Sequence, residues 1–179
     1  MHKCKYMIKL NFKSPFNINT GEGENDFINK YTVKLRGKPY IPGSTIKGKI
    51  KSNFYKISDF KHKDNNESCN CPMCKLFGKS GNSPSKICVD NFETKEESKI
   101  SIKTSNSIDR FRKVSKDGAL FTEEQCYNKE FLGEVSIVFD EETKIYKEEL
   151  EMAIKMIDFI GGSKSRGSGN VEVSFEEVK

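Results

Sequence analysis

The chain has 179 residues, of which 35% are apolar and 32% are charged, and its net charge is +5. This length suffices for one domain, and the composition favours a modest core that carries polar insertions over a large sandwich or barrel. The 13 phenylalanines argue against a wholly disordered chain, no apolar run approaches the roughly 20 residues that span a bilayer, and the positive charge favours a polyanionic partner.

Hydrophobic periodicity predicts the elements of the first half of the chain. Residues 5–12 alternate in polarity, which is typical of a half-buried strand. Residues 17–26 are rich in loop-forming types, and 32–35 predict a short strand. A helix follows with Ser44 or Thr45 as its N-cap residue, and its apolar stripe consists of Ile46, Ile50, Phe54 and Ile57.

The second half is predicted in the same way around one long polar stretch. Residues 94–127 are too many for a free loop inside a compact domain, so we expect a protruding hairpin there. Gly161 and Gly162 resemble the glycines that end a helix. The remaining predicted elements are strands at 86–92, 131–139 and 170–176 and a helix at 141–160.

The order of these elements is strand, helix, strand, strand, helix, strand. This βαββαβ order predicts an α+β fold of the ferredoxin-like type, with an antiparallel sheet and both helices on one face. RNA-binding domains often use this topology, and so do proteins of many unrelated functions.

The start of the first helix carries groups that suit a phosphate. Gly43 precedes the helix, where backbone N–H groups and the helix dipole attract anions. Ser44 and Thr45 add hydroxyl groups, and three lysines add charge: Lys47, Lys49 and Lys51. Read alone, this segment is better explained as an ordinary capped helix with solvated lysines, since most capped helices bind no anion.

A second segment, Gly161–Gly169, is glycine-rich and basic. Glycine lets the backbone approach a ligand closely, and Arg166 can bind a phosphate through two hydrogen bonds. The order of its lysine and helix excludes a Walker loop. The alternative is a permissive connection between helix and strand, although nine residues exceed what such a connection needs.

The cysteines indicate a metal site. Residues 1–10 lack the features of a signal peptide, so we expect a cytoplasmic protein, in which thiols stay reduced. Cys69, Cys71 and Cys74 have metal-ligand spacing, and His62 or Cys88 could supply the fourth ligand of a structural Zn²⁺. Unmetallated thiols are the alternative, and a catalytic or redox role has no supporting context.

The predicted hairpin contains basic residues around an aromatic residue. Arg110, Arg112 and Lys113 flank Phe111. This pattern suits a single nucleic-acid strand, with the phosphates held by the cations and a base stacked on the ring. Read alone, the segment is better explained as a solvated hairpin with one anchoring phenylalanine.

Four stretches together resemble the RAMP (repeat-associated mysterious protein) superfamily of CRISPR proteins, above all the backbone subunit of type III effector complexes. They occur in the family's order: IPGSTIKGKI at 41–50, CPMCKLFG at 71–78, NSIDRF at 106–111 and FIGGSKSRGSGNV at 159–171. The resemblance implies one RAMP domain over residues 1–179 with an RRM-like palm and two insertions. The implied parts are a palm from 1–58, 86–93 and 128–179, a zinc-binding insertion at 59–85 and a thumb-like hairpin at 94–127.

The resemblance also implies partners and RNA contacts. The expected partners are guide RNA, target RNA, other copies of the chain and other effector subunits in a filament, with no membrane. The RNA contacts that it implies are Gly43, Ser44, Thr45, Lys47 and Lys51 at the first helix, Gly162, Ser163, Lys164 and Arg166 in the glycine-rich segment along the same RNA path, and Arg110 and Arg112 on the thumb. For the metal it implies one histidine with three cysteines, which favours His62.

Members of this family also cut target RNA with a loop aspartate and a divalent cation such as Mg²⁺. The 2′-hydroxyl attacks the adjacent phosphate and leaves a cyclic phosphate and a 5′-hydroxyl. By position the aspartate here is Asp26, with Glu22 and Glu24 as weaker substitutes. In the family a small residue and proline follow the aspartate, whereas Phe27 follows it here, so a solvated loop acid is the alternative.

Three functions are therefore open. The first is a guide-binding backbone subunit, either cleaving target RNA or non-catalytic. The second is a RAMP endoribonuclease that matures guide RNA, which would need a general base, and the sequence has only His2 and His62. The third is a zinc-stabilised interaction module without RNA.

Overall fold

A computed structural model describes residues 2–19, 27–58, 60, 62, 69–79 and 83–178 of the chain. It is an α+β structure, and no helix in the described part is long and apolar enough to cross a membrane. The strands are β1 (His2–Phe12), β2 (Lys34–Leu35), β3 (Lys38–Ile41), β4 (Ile87–Val89), β5 (Phe92–Glu93), β6 (Ile100–Ile108), β7 (Ser115–Cys126), β8 (Glu130–Phe139) and β9 (Val171–Val178). The helices are α1 (Gly43–Ile57), α2 (Pro72–Phe77) and α3 (Lys147–Lys155).

Within the described residues, seven strands form one antiparallel sheet and two form a separate hairpin. The large sheet has the order β2-β3-β5-β8-β1-β9, and β4 also pairs with β8. β1 lies between β8 and β9, with Tyr6 opposite both Val135 and Glu177. The hairpin consists of β6 and β7, which confirms the protruding hairpin predicted for the long polar stretch.

One face of the large sheet carries the core. The alternating residues Tyr6, Ile8 and Leu10 of β1 are buried on this face, because successive side chains of a strand point to opposite faces. The apolar stripes of α1 and α3 cover them, and the Asn53 side chain donates a hydrogen bond of 3.1 Å to the Ala153 carbonyl between the two helices. The apolar sides of both helices are thus buried against a single sheet.

The opposite face of the sheet is covered by paired charges. Ion pairs join β1 or the residue after it to the neighbouring strands: Lys5 to Glu134 at 2.9 Å, Lys9 to Glu130 at 2.6 Å and Lys13 to Glu172 at 2.9 Å. Exposed pairs of this kind contribute little stability, but they neutralise the lysines of this face. The open face is therefore not a basic surface.

The start of α1 differs from the prediction. The N-cap position is Pro42 rather than Ser44 or Thr45, and the helix begins at Gly43. Gly43 is buried, and its N–H donates to Asn91 Oδ1 at 3.0 Å. This contact interrupts the strand predicted at 86–92, which the structure divides into β4 and β5.

Gly43 has a packing role that an alanine cannot fill. A Cβ atom at this position would lie 2.2 Å from the Val89 carbonyl oxygen, whereas a Cβ atom at Gly48 would have no atom within 4 Å. We expect Gly43→Ala to lower the free energy of unfolding by about 1–3 kcal/mol, as overpacking does. Gly48→Ala should raise it by up to about 1 kcal/mol. Urea unfolding of both variants measures the difference, and equal stability would contradict the packing role.

The helix predicted at 141–160 is much shorter in the structure. Asp140 and Thr143 form a hydrogen-bonded turn, in which the Thr143 N–H donates to Asp140 Oδ1 at 2.9 Å. A 3₁₀ turn at Lys144–Tyr146 follows, and α3 ends at Lys155. Beyond it the chain is extended, because the Ile160 N–H bonds to the Gly169 carbonyl at 2.9 Å. The helix is shortened at its start because Asp140 and Thr143 favour a local turn, and at its end because Phe159 pairs with Asn170.

Candidate metal centre and nucleic-acid interface

Four possible metal ligands lie together beside α2. The ligand atoms of His62, Cys69, Cys71 and Cys74 all lie within 4.8 Å of one another. His62 Nδ1 is 3.2 Å from the sulfur of Cys71, 3.6 Å from that of Cys74 and 3.7 Å from that of Cys69. The fold thus brings together the four residues that the sequence favours for a metal ion.

The short helix α2 sets this arrangement. Cys71 stands at its N-cap position, directly before Pro72, and Cys74 lies three residues further on, so both sulfurs face the same side of the first turn. Cys88 is exposed on β4 and stands outside the group. The geometry therefore favours His62 over Cys88 as the fourth member.

The donor set fits a zinc ion. Thiolate and imidazole are ligands of structural zinc, with bonds of about 2.0–2.3 Å that set tetrahedral ligand atoms roughly 3.3–3.8 Å apart. The sulfur–nitrogen distances of 3.2–3.7 Å agree with that spacing. Burial raises the pKa of the Cys74 thiol to about 12, and its hydrogen bonds with Cys71 and Cys69 add to this shift. Without a metal ion this thiol keeps its proton.

The side chains predicted to hold phosphate on α1 are accessible. Ser44 and Lys51 are exposed, and Thr45 and Lys47 are half-buried. The amide of Gly43 is not available, however, since it donates to Asn91. This backbone N–H already has a partner, so the side chains of Ser44, Thr45, Lys47 and Lys51 are the predicted contacts that stay accessible at this end of α1.

The loop Gly161–Gly169 presents its basic residues to solvent. Lys164–Arg166 form one turn of 3₁₀ helix, and Ser163 and Gly167 on either side have left-handed backbone angles. A Cβ atom at Gly161 would lie 2.5 Å from the Asn17 carbonyl oxygen, so this glycine packs against a neighbouring segment. The sequence predicts that Gly161 ends a helix, but α3 ends at Lys155 and Gly161 does not cap it. Gly162 and Arg166 are exposed.

The two predicted RNA-binding segments meet at one aromatic ring. Lys49 Nζ of α1 lies 4.3 Å from the centroid of the Phe159 ring, and Lys164 Nζ of the loop lies 5.4 Å from the same centroid. More than a hundred residues separate these lysines in the sequence. Sequence reasoning counted Lys49 only as added charge and gave Phe159 no role, although an aromatic residue two positions before the glycine-rich loop is a usable signal.

The hairpin tip exposes the predicted aromatic residue. The Phe111 side chain is 99% exposed. The Asp109 carboxylate accepts hydrogen bonds from the N–H groups of Phe111 at 2.8 Å and Arg112 at 3.1 Å, and these bonds lower the pKa of Asp109. Arg110 and Arg112 are exposed beside the ring. The turn is ordered by its own backbone contacts and leaves the ring and both guanidinium groups free for a partner.

The predicted catalytic residue Asp26 lies outside the described residues, as do Glu22 and Glu24. The residues on either side of this segment lie near the base of the hairpin. Asn19 pairs with Thr32 in an isolated bridge, and the Asn29 N–H donates to the Thr122 carbonyl at 2.9 Å. A cleft of about 260 Å³ lies there, lined among others by Asn17, Lys30, Glu123, Gly162 and Ser163. The chain next to Asp26 is thus close to the glycine-rich loop.

Comparisons with known proteins agree with the resemblance. The family model described as the RAMP superfamily matches residues 9–172. A curated protein of Methanocaldococcus jannaschii, named CRISPR system Cms endoribonuclease Csm3, is 30% identical in an alignment of 164 positions that covers 80% of this chain. The chain spans 65% of the length of that relative.

Proposed function

The chain belongs to the RAMP superfamily, and from that membership we propose that it is a guide-RNA-binding backbone subunit of a type III CRISPR effector complex. The relative from Methanocaldococcus jannaschii supports this choice within the superfamily, since its name describes a CRISPR endoribonuclease. The proposed partners are guide RNA, paired target RNA, further copies of the chain in a filament and other effector subunits, assembled in the cytoplasm.

The observation that carries the proposal is the meeting of α1 and the glycine-rich loop at Phe159. Lys49 and Lys164 approach the same ring, and apart from the Asp158 carboxylate the exposed groups around it are hydroxyls, amides and cations, which can donate hydrogen bonds to phosphate oxygens. We assign the guide path to this surface, with Ser44, Thr45, Lys47, Lys51, Gly162, Ser163, Lys164 and Arg166 as contacts. Lys49 and Phe159 are added to that set.

The palm and thumb assignments follow from the strand order. The order β9-β1-β8-β4, with α1 and α3 on one face, supports a ferredoxin-like palm. The hairpin of β6 and β7 is the proposed thumb. Phe111 at its tip would stack on a base while Arg110 and Arg112 hold neighbouring phosphates. The paired charges on the open face support an RNA path along the helices and loops rather than across the sheet.

Target cleavage is the second part of the proposal. Asp26 would help to position a hydrated Mg²⁺ or the RNA backbone, so that the 2′-hydroxyl attacks its own phosphate. The approach of residues 19 and 29 to the hairpin base, beside the glycine-rich loop, supports this role. The endoribonuclease named among the relatives favours an active subunit. Maturation of guide RNA remains the competing activity, and cutting of repeat RNA by the isolated chain would favour it.

The four-residue cluster is proposed as a structural zinc site. His62 and the three cysteines would hold the ion in a closed tetrahedron, in which zinc contributes folding energy and no reaction chemistry. α2 would then be fixed against the core, where Leu76 and Phe77 are buried. In this proposal the zinc-binding insertion stabilises the palm by fixing α2.

The guide path can be tested with single lysine and arginine variants. Lys47→Gln and Arg166→Gln should each weaken the binding of a labelled single-stranded RNA by about 5- to 10-fold and lower the salt dependence of log Kd by about 0.7 per lost contact. Fluorescence anisotropy over a salt series measures both quantities. Lys144→Gln is the matched control, because Lys144 is exposed and has no ion pair within the described residues. Equal losses in all three variants would contradict the assigned path.

A further inference from the structure

An acidic side chain stands inside the proposed guide path. Asp158 directly precedes Phe159, and its Oδ2 atom lies 3.1 Å from Lys164 Nζ. Lys164 Nζ and Lys49 Nζ lie 5.4 Å and 4.3 Å from the centroid of the Phe159 ring. A carboxylate thus pairs with Lys164 on a surface that Lys49 shares and that is otherwise suited to phosphate.

The charges of these three groups act on one another. Burial lowers the pKa of Lys49 first, and the charge of Lys164 lowers it further, whereas the charge of Asp158 opposes this. The hydrogen bond from Lys164 lowers the pKa of Asp158, and the charges of Lys164 and Lys49 add to that effect. The carboxylate therefore compensates two amines that would otherwise repel each other.

The ion pair is exposed. The side chains of Lys164 and Asp158 are 63% and 72% exposed, so the pair contributes little to folding and can be exchanged without opening the core. A phosphate oxygen accepts hydrogen bonds from ammonium groups as a carboxylate oxygen does. The surroundings that stabilise Asp158 are therefore also those that would stabilise a phosphate.

We infer that the Asp158 carboxylate takes the place of one RNA phosphate at Lys164, on the surface that Lys49 shares, in the RNA-free protein, and that it competes with RNA for the Lys164 amine. This inference rests on the proposed function, because it assumes that RNA follows this surface. Asp158 offsets the repulsion between the two lysines when no RNA is bound and weakens the affinity of each single copy for RNA.

The test compares two variants that each remove one negative charge. Asp158→Asn should tighten the binding of a 5′-fluorescein-labelled single-stranded RNA by about 5- to 10-fold and steepen the dependence of log Kd on log salt concentration by about 0.7, the slope of one added phosphate contact. Glu148→Gln is the control, since Glu148 is exposed on α3 without an ion pair in the described residues. It should change Kd by less than about twofold. Fluorescence anisotropy of the full chain over a salt series measures both.

A double variant identifies the amine that is released. Asp158→Asn combined with Lys164→Gln should lose the gain in affinity, because one of the two cations is gone. The inference is overturned if Asp158→Asn binds RNA no better than Glu148→Gln. It is also overturned if Asp158→Asn binds more weakly than the wild type, since Asp158 would then serve to position Lys164 for RNA. Absence of RNA binding by the wild-type chain at low salt would instead overturn the proposed function, and this inference with it.

Discussion

Replacement of Cys74 by serine is expected to release the bound zinc and to lower the thermal stability of the protein. The wild-type chain should contain close to one zinc per chain, and the variant less than half an equivalent, because serine is a poor ligand for this metal. Structural zinc contributes about 10–16 kcal/mol in small zinc-binding peptides. Elemental analysis of the purified proteins measures the metal, and circular dichroism melting measures the stability.

The loss of stability should reach the core through α2. The ring centroids of Phe77 on this helix and Phe54 on α1 lie 5.9 Å apart. The Lys86 N–H donates to the Leu76 carbonyl at 2.9 Å. Without the ion, the chain on both sides of α2 loses its bonds through His62 and the three cysteines and keeps only weaker contacts of this kind. A chelator added to the wild-type protein should therefore reproduce the melting curve of the variant.

Cys88→Ser is the matched control for this prediction. It makes the same chemical change at an exposed thiol outside the group of four, so zinc content and melting temperature should both stay as in the wild type. Loss of zinc in this variant would show that Cys88 is a ligand in place of His62. Less than half an equivalent of zinc in the wild-type protein would reject the zinc site altogether.

Asp26→Ala in the assembled complex is expected to slow the cleavage of target RNA by about 100-fold or more, with guide and target binding unchanged. A carboxylate that positions a metal ion or the RNA backbone acts mainly on the transition state, so its removal affects the rate and leaves the affinity nearly intact. Single-turnover cleavage of a labelled target measures the rate. Copurified guide RNA of uniform length shows that assembly is preserved.

The acids close to Asp26 provide the controls. Glu22→Gln and Glu24→Gln each neutralise one charge of the same segment and should leave cleavage within about threefold of the wild type, the size of an electrostatic effect without direct contact. Undiminished cutting by Asp26→Ala would exclude the catalytic role. A large loss in either glutamate variant instead would transfer that role to the glutamate.

Much of the fold could be predicted from local patterns. The alternation of Tyr6, Ile8 and Leu10 and the helical spacing of Ile46, Ile50 and Phe54 mark the buried faces of β1 and α1, because each pattern depends only on residues a few positions apart. The spacing of Cys71 and Cys74 indicates ligands on one side of a turn for the same reason. These elements can therefore be predicted from short stretches of the sequence.

Several incorrect predictions concern positions where a distant contact decides. The end of α3 depends on the pairing of Ile160 with Gly169, and the environment of Gly43 depends on the close approach of Val89. Neither contact has a local pattern. Gly43 and Gly161, which resemble a phosphate-binding glycine and a helix cap, therefore proved to be sites of close packing, where a Cβ atom would meet a backbone carbonyl.

The strands β1, β8 and β9, the α1 stripe, the three-cysteine cluster and the motifs of the superfamily can be read from the sequence alone, because each depends on residue types at short spacing. The approach of His62 rather than Cys88 to the cysteines became evident from the three-dimensional arrangement. The same holds for Lys49 and Lys164, which share the ring of Phe159, and for Asp158 beside Lys164. Such contacts arise from the packing of α1 and the loop against one sheet, and the distance between two side chains across that packing is not encoded in their separation along the chain.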